Sequence, residues 1–327
     1  MFDVADFCGV SHQTVSRVVN NTGSVSDKTR EKVLAAIDEL GYQPNLAAKA
    51  LATGKTKTIG VLSFDSTLYG PTAMLHSIQV AARDAGYQVV LNSVSSLSNS
   101  DISDGIGLLA KANVDGVIVI SPRSAMADTK LQLETRAPVI FTETQDREPF
   151  GMVDVDQVGI GSMATEYLLA LGHTQIAHIA GSADWLAAKR RRSGFATTMA
   201  KNSLTPAGIS QGDWTPKSGY EATKALLGEA KFTAIFVAND AMAIGALKAL
   251  NEAGVKVPDQ VSLVSVDDSA EAEYMQPSLS SVRQQFDLVG QALIERLLDE
   301  IDGLPLVGPK RKLMPGILLP RASTTRI

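Results

Sequence analysis

Four polar side chains near the start of the chain are spaced to lie on one face of a helix. They recur at three- and four-residue steps and are Gln13, Ser16, Arg17 and Asn20. Val15, Val18 and Val19 fall on the other side, where they would pack against a core. Gln and Arg carry paired donors and acceptors that match the edges of adenine and guanine in a DNA major groove. The pattern over residues 10–21 favours a DNA-reading helix, although a solvated amphipathic helix would present the same polar face.

The flanking segments support the DNA-reading interpretation. A short helix is predicted over residues 3–8, Gly9 allows a sharp turn, and Ser11 is a good N-cap for the next helix. Ser26 would cap a third helix. The apolar stripe of that helix consists of Val33, Leu34, Ile37 and Leu40. Three short helices in this order are typical of a helix-turn-helix DNA-binding domain, which we assign to residues 1–44.

Composition and charge describe an ordinary globular protein with an acidic body. The 327 residues, 45% hydrophobic and 20% charged, are enough for two or three domains. The formal net charge of −5 argues against a nucleic-acid partner, but residues 1–57 hold seven Lys and Arg against six Asp and Glu. The acidic excess therefore lies in the remainder, which would leave DNA contact to the N-terminal segment.

The chain has the marks of a cytoplasmic protein. Its apolar runs are too short for a membrane span, and its first residues, MFDVADF, lack the basic start of a secretory signal. Cys8 is the single cysteine, so an internal disulfide is excluded and the thiol is expected to be a small core residue.

Beyond residue 57 the pattern changes to apolar, β-branched runs that alternate with helical stretches. One set begins with IGVLSF at residues 59–64 and a second with QIAHIA at residues 175–180, and a final helix is predicted over 286–301. Such alternation predicts an α/β fold in which parallel sheets are covered by helices on both faces. Two sets of this kind predict two lobes with a cleft between them.

Polar residues follow two of these predicted strands. Asn239 and Asp240 come after TAIFVA, and Asp267 and Asp268 come at the end of VSLVSV. Ligands of open α/β sheets bind beyond the carboxyl ends of the strands, so these residues are candidates for a ligand site. Asp240 or Asn239 could instead cap the following helix, and Asp267 could simply end its strand.

Eight longer segments carry a wider resemblance. They are DVADFCGVSHQTVSRVVNN, VSDKTREKVLAAIDELGYQPN, LATGKT, LLALGHTQIAHIAG, GDWTPKSGYEAT, VANDAMAIGAL, VSVDDS and RQQFDLVGQALIERLL. Together they resemble the lactose and galactose repressor family of bacterial transcription regulators over essentially the whole chain. The resemblance implies a hinge helix and linker over residues 45–57 and a two-lobed core over residues 58–327, similar to periplasmic binding proteins. The lobes would comprise about 58–154 with 285–312, and about 155–284 with 313–327.

The resemblance also implies which residues contact DNA. The second helix would read the major groove through His12, Gln13, Thr14, Ser16, Arg17 and Asn20. The hinge helices of a dimer would push Leu51 into the minor groove and kink the DNA, with Asn45 and Ala48 nearby. Leu51 could alternatively pack against the core.

A sugar pocket follows from the same resemblance. Its residues would be Pro71, Met74, Glu143, Arg191, Trp214, Asn239, Asp267, Gln284 and Phe286. Carboxylate, amide and guanidinium groups suit neighbouring hydroxyls, and the Trp214 indole would cover the apolar face of the ring. Arg191 lies in the run KRRR, which by itself would more simply be a solvated face. Ala187 in place of a hydroxyl residue and Glu143 in place of the shorter Asp depart from the lactose-binding pattern, so the sugar stays open.

Two motifs that suggest enzymes fail on inspection. GISQG at residues 208–212 lacks the strand-turn-helix context of a nucleophile elbow, and GIGSMA at residues 159–164 falls inside a predicted helix that Asp156 would cap. In the second case the glycines would more simply allow close packing on the sheet. No catalytic residues, cofactor or metal site are therefore predicted.

The expected function is sequence-specific repression of sugar-utilisation genes. A homodimer would bind a palindromic operator and release it when a small sugar, with galactosides as candidates, occupies the cleft. No leucine heptads follow the last predicted helix, so a tetramer is not expected. Two alternatives stay open: a sugar-binding transport component, and a regulator of the same family that takes a purine as corepressor.

Overall fold

The computed structural model describes residues 1–20, 22–42, 50, 54–64, 67–94, 98–120, 135, 137–142, 152–305 and 311–327. The chain divides into two compact units, Met1–Lys57 and Thr58–Ile327. Across the described part of the chain, no helix has both the length and the apolar content needed to cross a lipid bilayer.

Three short helices are described in the first unit. They are α1 (Phe2–Cys8), α2 (His12–Asn20) and α3 (Asp27–Glu39). Gly9, at φ 59°, forms the left-handed turn that ends α1. The backbone N–H of Thr14 donates to Ser11 Oγ at 3.1 Å, and that of Thr29 donates to Ser26 Oγ at 3.3 Å. The core consists of Val4, Ala5, Cys8, Val15, Val18, Val33 and Ala36. The helix-turn-helix prediction and the core position of the cysteine are confirmed.

The apolar stripe of α3 differs from the prediction. Val33 and Ala36 are buried and Ile37 packs against this core, whereas Leu34 and Leu40 are 50% and 43% exposed. Positions 33, 36 and 37 share a face because they are three and four residues apart. Leu34 lies about 100° around the helix from Val33, and Leu40 is the C-cap. The prediction that both leucines belong to the stripe is therefore wrong.

The second unit is built from α-helices and two sheets. Its described helices are α4 (Tyr69–Asp84), α5 (Asn99–Lys111), α6 (Gln157–Ala170), α7 (Leu186–Lys201), α8 (Pro216–Glu229), α9 (Asp240–Glu252) and α10 (Phe286–Ile301). The strands that join the first sheet are β1 (Thr58–Phe64), β2 (Gln88–Val94), β3 (Gly116–Ile120), β4 (Val139–Thr142), β5 (Met152–Val155) and β11 (Arg311–Met314). Those of the second are β6 (Ile176–Ala180), β7 (Gly208–Gln211), β8 (Ala234–Val237), β9 (Ser262–Asp267), β10 (Ser280–Gln284) and β12 (Gly316–Leu319).

The strands form two sheets, one in each lobe, and the chain passes between the two lobes more than once. The first sheet has the order β11-β5-β4-β3-β1-β2, and its neighbouring strands are parallel. The second has the order β12-β10-β9-β8-β6-β7, in which β12 alone runs antiparallel, to β10. Because β11 returns to the first sheet between β10 and β12, the chain crosses from lobe to lobe more than once. The predicted two-lobed α/β fold is confirmed.

Five strands were not predicted from the sequence, namely β5, β7, β10, β11 and β12. Four of them have only four residues each, and β10 is the polar run SSVRQ. Such segments lack the long apolar, β-branched pattern that identifies a buried strand. GISQ is itself the edge strand β7, and four residues separate it from the start of α8, so no nucleophile elbow is formed.

Glycines bring two helix pairs of the second lobe into backbone contact. A Cβ atom on Gly161 of α6 would overlap the carbonyl oxygen of Arg191 in α7, and one on Gly194 of α7 would overlap that of Val158. Gly219 and Gly245 form the same arrangement between α8 and α9. We call these contacts the glycine seams. Close packing at Gly161 was predicted against the sheet, and this is wrong, because the neighbouring backbone belongs to α7.

Candidate functional site

The outward face of α2 presents three exposed side chains. His12, Gln13 and Arg17 are all exposed, as a role in binding another molecule requires. The ring of Phe2 stacks on His12, with 5.3 Å between ring centres and 21° between planes. This stacking limits the directions in which the imidazole can point.

The other three predicted DNA contacts on α2 form hydrogen bonds within the helix or to Ser11, which immediately precedes it. The Thr14 and Ser11 hydroxyls share a hydrogen bond of 2.9 Å. The Asn20 amide donates to the Ser16 carbonyl oxygen at 3.0 Å and to its hydroxyl at 3.2 Å. These side chains are less available for base contacts than His12, Gln13 and Arg17.

Four predicted site residues lie outside the described residues. They are Asn45, Ala48 and Leu51 of the hinge, and Glu143 of the ligand site.

Eight of the nine predicted ligand residues line one pocket at the carboxyl ends of the two sheets. They are Pro71, Met74, Arg191, Trp214, Asn239, Asp267, Gln284 and Phe286. Asp267 and Gln284 end β9 and β10, and Asn239 lies just past β8. The first lobe contributes the ends of β3 and β4, at Ile120 and Thr142. The pocket therefore lies between the lobes, where the fold of open α/β sheets places ligands.

Further lining residues were not predicted as ligand contacts. They are Leu68, Tyr69, Gly70, Ile120, Thr142, Gln157, Trp185 and Ala187. Ile120, Thr142 and Trp185 end or follow a strand, so the rule that ligands bind beyond carboxyl ends could have found them. Gln157 is the first residue of α6 and is separated from the unpredicted strand β5 only by Asp156.

A chain of hydrogen bonds crosses the pocket wall. Arg191 Nε donates to Gln157 Oε1 at 2.7 Å, Gln157 Nε2 donates to Gln284 Oε1 at 2.8 Å, and Gln284 Nε2 donates to Asp267 Oδ1 at 2.6 Å. Arg191 Nη1 also donates to the carbonyl oxygen of Ala238. Each amide is thereby fixed in one orientation, so the pocket presents a preorganised polar wall.

Arg191 is 3% exposed, so the alternative of a solvated basic face is wrong for this residue. Its guanidinium carbon lies 5.6 Å from the centre of the Trp214 ring. Trp185 approaches the same ring at 5.5 Å between centres and 59° between planes. The neighbouring Arg190 turns away and pairs with the buried Asp154 at 3.0 Å. Two indoles and one guanidinium thus form a compact aromatic wall.

Two buried carboxyl groups have perturbed acidities. Burial raises the pKa of Asp267 to about 7; the Arg191 charge opposes this shift and the Asp240 carboxylate adds to it. Burial also raises the pKa of Asp240, although Ser265, Ser269 and Ser281 donate hydrogen bonds to its carboxylate. The pocket therefore contains a carboxyl group that changes its charge near neutral pH.

Asn239, and not Asp240, caps α9. The backbone N–H of Met242 donates to Asn239 Oδ1 at 3.0 Å, while the Asn239 amide donates to the Trp214 carbonyl oxygen at 3.2 Å. The alternative that Asp240 is the cap is wrong, because its carboxylate is occupied by three serines. Asn239 caps the helix and lines the pocket at the same time.

Three residues at or beside the pocket have left-handed backbone conformations. Trp214, Asp267 and Asp268 have φ values of 77°, 118° and 54°. Such conformations are costly for residues other than glycine and persist only where the surroundings hold them. Arg283 and Arg321 hold Asp268 through ion pairs of 2.6 Å each. Residues with such strained backbone conformations are found preferentially at ligand-binding sites.

Comparison with known proteins gives matches over both units. The model of bacterial regulatory proteins, lacI family, matches residues 1–45, and the model of the periplasmic binding protein-like domain matches residues 165–324. The lactose operon repressor of Escherichia coli (strain K12) is 34% identical over 326 residues, which cover 99% of this chain and 90% of the repressor. The repressor PurR of Vibrio parahaemolyticus is 34% identical over 311 residues, covering 91% of each chain.

Solved structures give the same result. The lac repressor dimer bound to operator and the anti-inducer ONPF superposes with a TM-score of 0.87 at 34% identity, covering 99% of this chain and 98% of that one.

Proposed function

Because the chain belongs to the LacI family of bacterial regulatory proteins, we propose that it represses sugar-utilisation genes and leaves a palindromic operator when a small sugar binds between its lobes. The observation that carries this proposal is the polar and aromatic lining of a single pocket. A guanidinium, a carboxyl and several amides line it beside two indoles. No catalytic role is proposed for any of these groups.

The chemistry of the lining suits a sugar. Neighbouring hydroxyls are bound in pairs by planar groups such as the Arg191 guanidinium and the Asp267 carboxylate. The apolar face of a sugar ring packs on an aromatic side chain, for which Trp185 and Trp214 are available. Galactosides are the first candidates, since the lactose operon repressor is a relative over nearly the whole chain.

Operator binding would require two copies of the chain. Three exposed side chains on one short helix offer few base contacts, whereas two copies on a palindrome multiply the affinity through effective concentration. A homodimer with its paired α2 helices in successive major grooves is the arrangement that we propose.

Footprinting at controlled salt on the DNA upstream of the chain's own gene tests the DNA function. We expect a protected palindrome, weakened strongly by Arg17→Ala and not by Arg83→Ala, an exposed arginine of the second unit. Absence of any protected palindrome with the native protein would contradict the proposal.

Thermal-shift measurements test the effector. Lactose, isopropyl thiogalactoside, cellobiose, hypoxanthine and guanine would each be added to the full-length protein. We expect at least one sugar to raise the melting temperature and to reduce operator binding in a gel-shift assay. Stabilisation by purines alone would contradict a sugar effector.

A purine corepressor is the second candidate function. The 34% identity to PurR supports it, and so does the pair of indoles, since purines also stack on aromatic rings. In that case hypoxanthine or guanine would strengthen operator binding. A transport component does not fit, because residues 1–45 match the lacI family and α1, α2 and α3 form a helix-turn-helix unit.

A further inference from the structure

Two buried polar atoms in the pocket wall have no hydrogen-bond partner. Thr142 Oγ1 belongs to a side chain with 0% exposure, and Trp214 Nε1 to one with 6%. Both residues line the pocket, whereas the other unpartnered buried atoms of the described residues belong to His178 and Arg296, which do not.

The Thr142 hydroxyl lies in an apolar environment, where burying an apolar group would cost less free energy. β4 is the run VIFT, in which every residue is buried, and Ile120 ends the adjacent strand β3. A buried hydroxyl without a partner costs free energy that an apolar isostere of the same shape would not. A hydroxyl at this position is therefore explained by a partner that arrives with the ligand.

Four other polar side chains of the wall are already engaged. Arg191, Gln157, Gln284 and Asp267 are linked to one another by hydrogen bonds. The two unpartnered atoms differ from them because no residue in the described part of the chain bonds to either atom. Thr142 ends a strand of the first sheet, and Trp214 follows β7 of the second, so they face the ligand from different lobes.

We propose that Thr142 is a specificity-determining residue whose hydroxyl bonds one hydroxyl of the effector while the Trp214 indole N–H bonds a second oxygen of the same molecule. The inference rests on the proposed function, in which the effector is a sugar. The indole N–H can only donate, so it requires an acceptor oxygen, whereas the threonine hydroxyl can donate or accept. A sugar that satisfies both atoms links the first lobe to the second.

Isothermal titration with full-length variants tests this role. The native protein, Thr142→Val and Thr142→Ser would be titrated with whichever of lactose, isopropyl thiogalactoside or cellobiose binds most tightly, and with monodeoxy derivatives of that sugar. We expect Thr142→Val to weaken binding of the parent sugar about tenfold, the effect of about one hydrogen bond. Thr142→Ser, which keeps the hydroxyl, should restore most of the affinity.

The deoxy derivatives identify the partner hydroxyl. One derivative should bind the native protein and Thr142→Val equally, because it lacks the group that Thr142 contacts. The other derivatives should keep the tenfold difference.

Thr223→Val is the matched control. Thr223 is also 0% exposed, but its hydroxyl donates to the Gly219 carbonyl oxygen at 2.7 Å. This control should lower the melting temperature of the ligand-free protein and leave sugar affinity unchanged. Thr142→Val should instead raise the melting temperature, which shows that weaker binding does not come from unfolding.

The outcomes separate the two proposals. If the native protein binds a sugar and Thr142→Val binds it equally well, the role of Thr142 is refuted and the sugar effector stands. The same holds if Thr142→Val weakens every deoxy derivative by the same factor. If no sugar binds the native protein while hypoxanthine or guanine does, the sugar effector is wrong and the inference fails with it.

Discussion

Asp267 carries a carboxyl group that is buried in the pocket wall and has a pKa of about 7. The ordinary pKa of this carboxyl group, as in an unfolded chain, is 3.8, so the folded state binds the proton more tightly. The resulting stabilisation is complete below that unfolded pKa and is lost as pH rises through about 7. Between pH 5 and pH 8 the loss amounts to about 3 kcal/mol, since each pKa unit corresponds to about 1.4 kcal/mol.

Asp267→Asn should remove this dependence. The amide oxygen can still accept the hydrogen bond from Gln284, but the side chain no longer ionises. Urea unfolding of both proteins at pH 5 and pH 8 is the measurement. We expect the unfolding free energy of the variant minus that of the native protein to be about 3 kcal/mol larger at pH 8 than at pH 5. An equal difference at both values would show that Asp267 does not hold its proton in the folded state.

Most of the residues that line the pocket could be predicted from the sequence, but the unpartnered polar atoms among them could not. The resemblance predicted Arg191, Trp214 and Gln284 as ligand residues, and all three line one pocket, but their roles stay predictions. Thr142 was missed because nothing local distinguishes a threonine at the end of an apolar strand from a core residue. Its unpartnered hydroxyl becomes evident only when neighbouring strands are placed around it.

The glycine seams determine how closely the helices of each pair pack against each other. Gly161→Ala would press a methyl group into the carbonyl oxygen of Arg191, and α6 and α7 would have to separate. Because Arg191 contributes both to the seam and to the pocket wall, this separation should also displace its guanidinium. We expect a loss of about 1 to 3 kcal/mol of unfolding free energy, as overpacking usually costs, together with weaker ligand binding.

Gly107→Ala is the matched control for the seam. Gly107 lies within α5, and no atom lies within 4 Å of the position that its Cβ would occupy. Alanine should therefore stabilise the helix by about 0.5 to 1 kcal/mol. Urea unfolding and sugar titration of both variants make the comparison. Equal stabilisation by both alanines would contradict tight packing at the seam.

Elements with a strong, long periodicity were predictable from the sequence. The final helix was predicted over residues 286–301 and is found at Phe286–Ile301, because its apolar side chains repeat with the helical period. The short strands β5, β7 and β10 were not predicted, since pairing with neighbouring strands and not local sequence makes them strands. Leu34 was placed wrongly because its burial depends on where α1 and α2 contact α3.

The whole molecule consists of two units joined near Lys57. The residues that line the pocket all lie between Leu68 and Phe286, within the second unit. Under the proposed function, sugar binding should therefore need only residues 58–327, and operator binding should need both units.

Limited trypsin digestion tests whether the second unit alone binds the sugar and whether operator binding requires both units. Lys57 is exposed at the junction, so brief digestion should produce a fragment that begins at Thr58, which mass spectrometry would identify. We expect the fragment to bind the sugar with native affinity and to give no gel shift with operator DNA. A fragment that loses its sugar affinity would show that the first unit contributes to the pocket.

The glycine seams also bear on how readily this pocket could acquire a new ligand. Arg191 lies on α7 and Asn239 caps α9, and at the seams each of these helices contacts its neighbour, α6 or α8, through the backbone. Side chains that face the pocket can then be exchanged without loosening the scaffold behind them. A library that varies Thr142, Trp185 and Ala187 while keeping the four seam glycines should yield many folded regulators, from which biosensors for other small polyols could be selected.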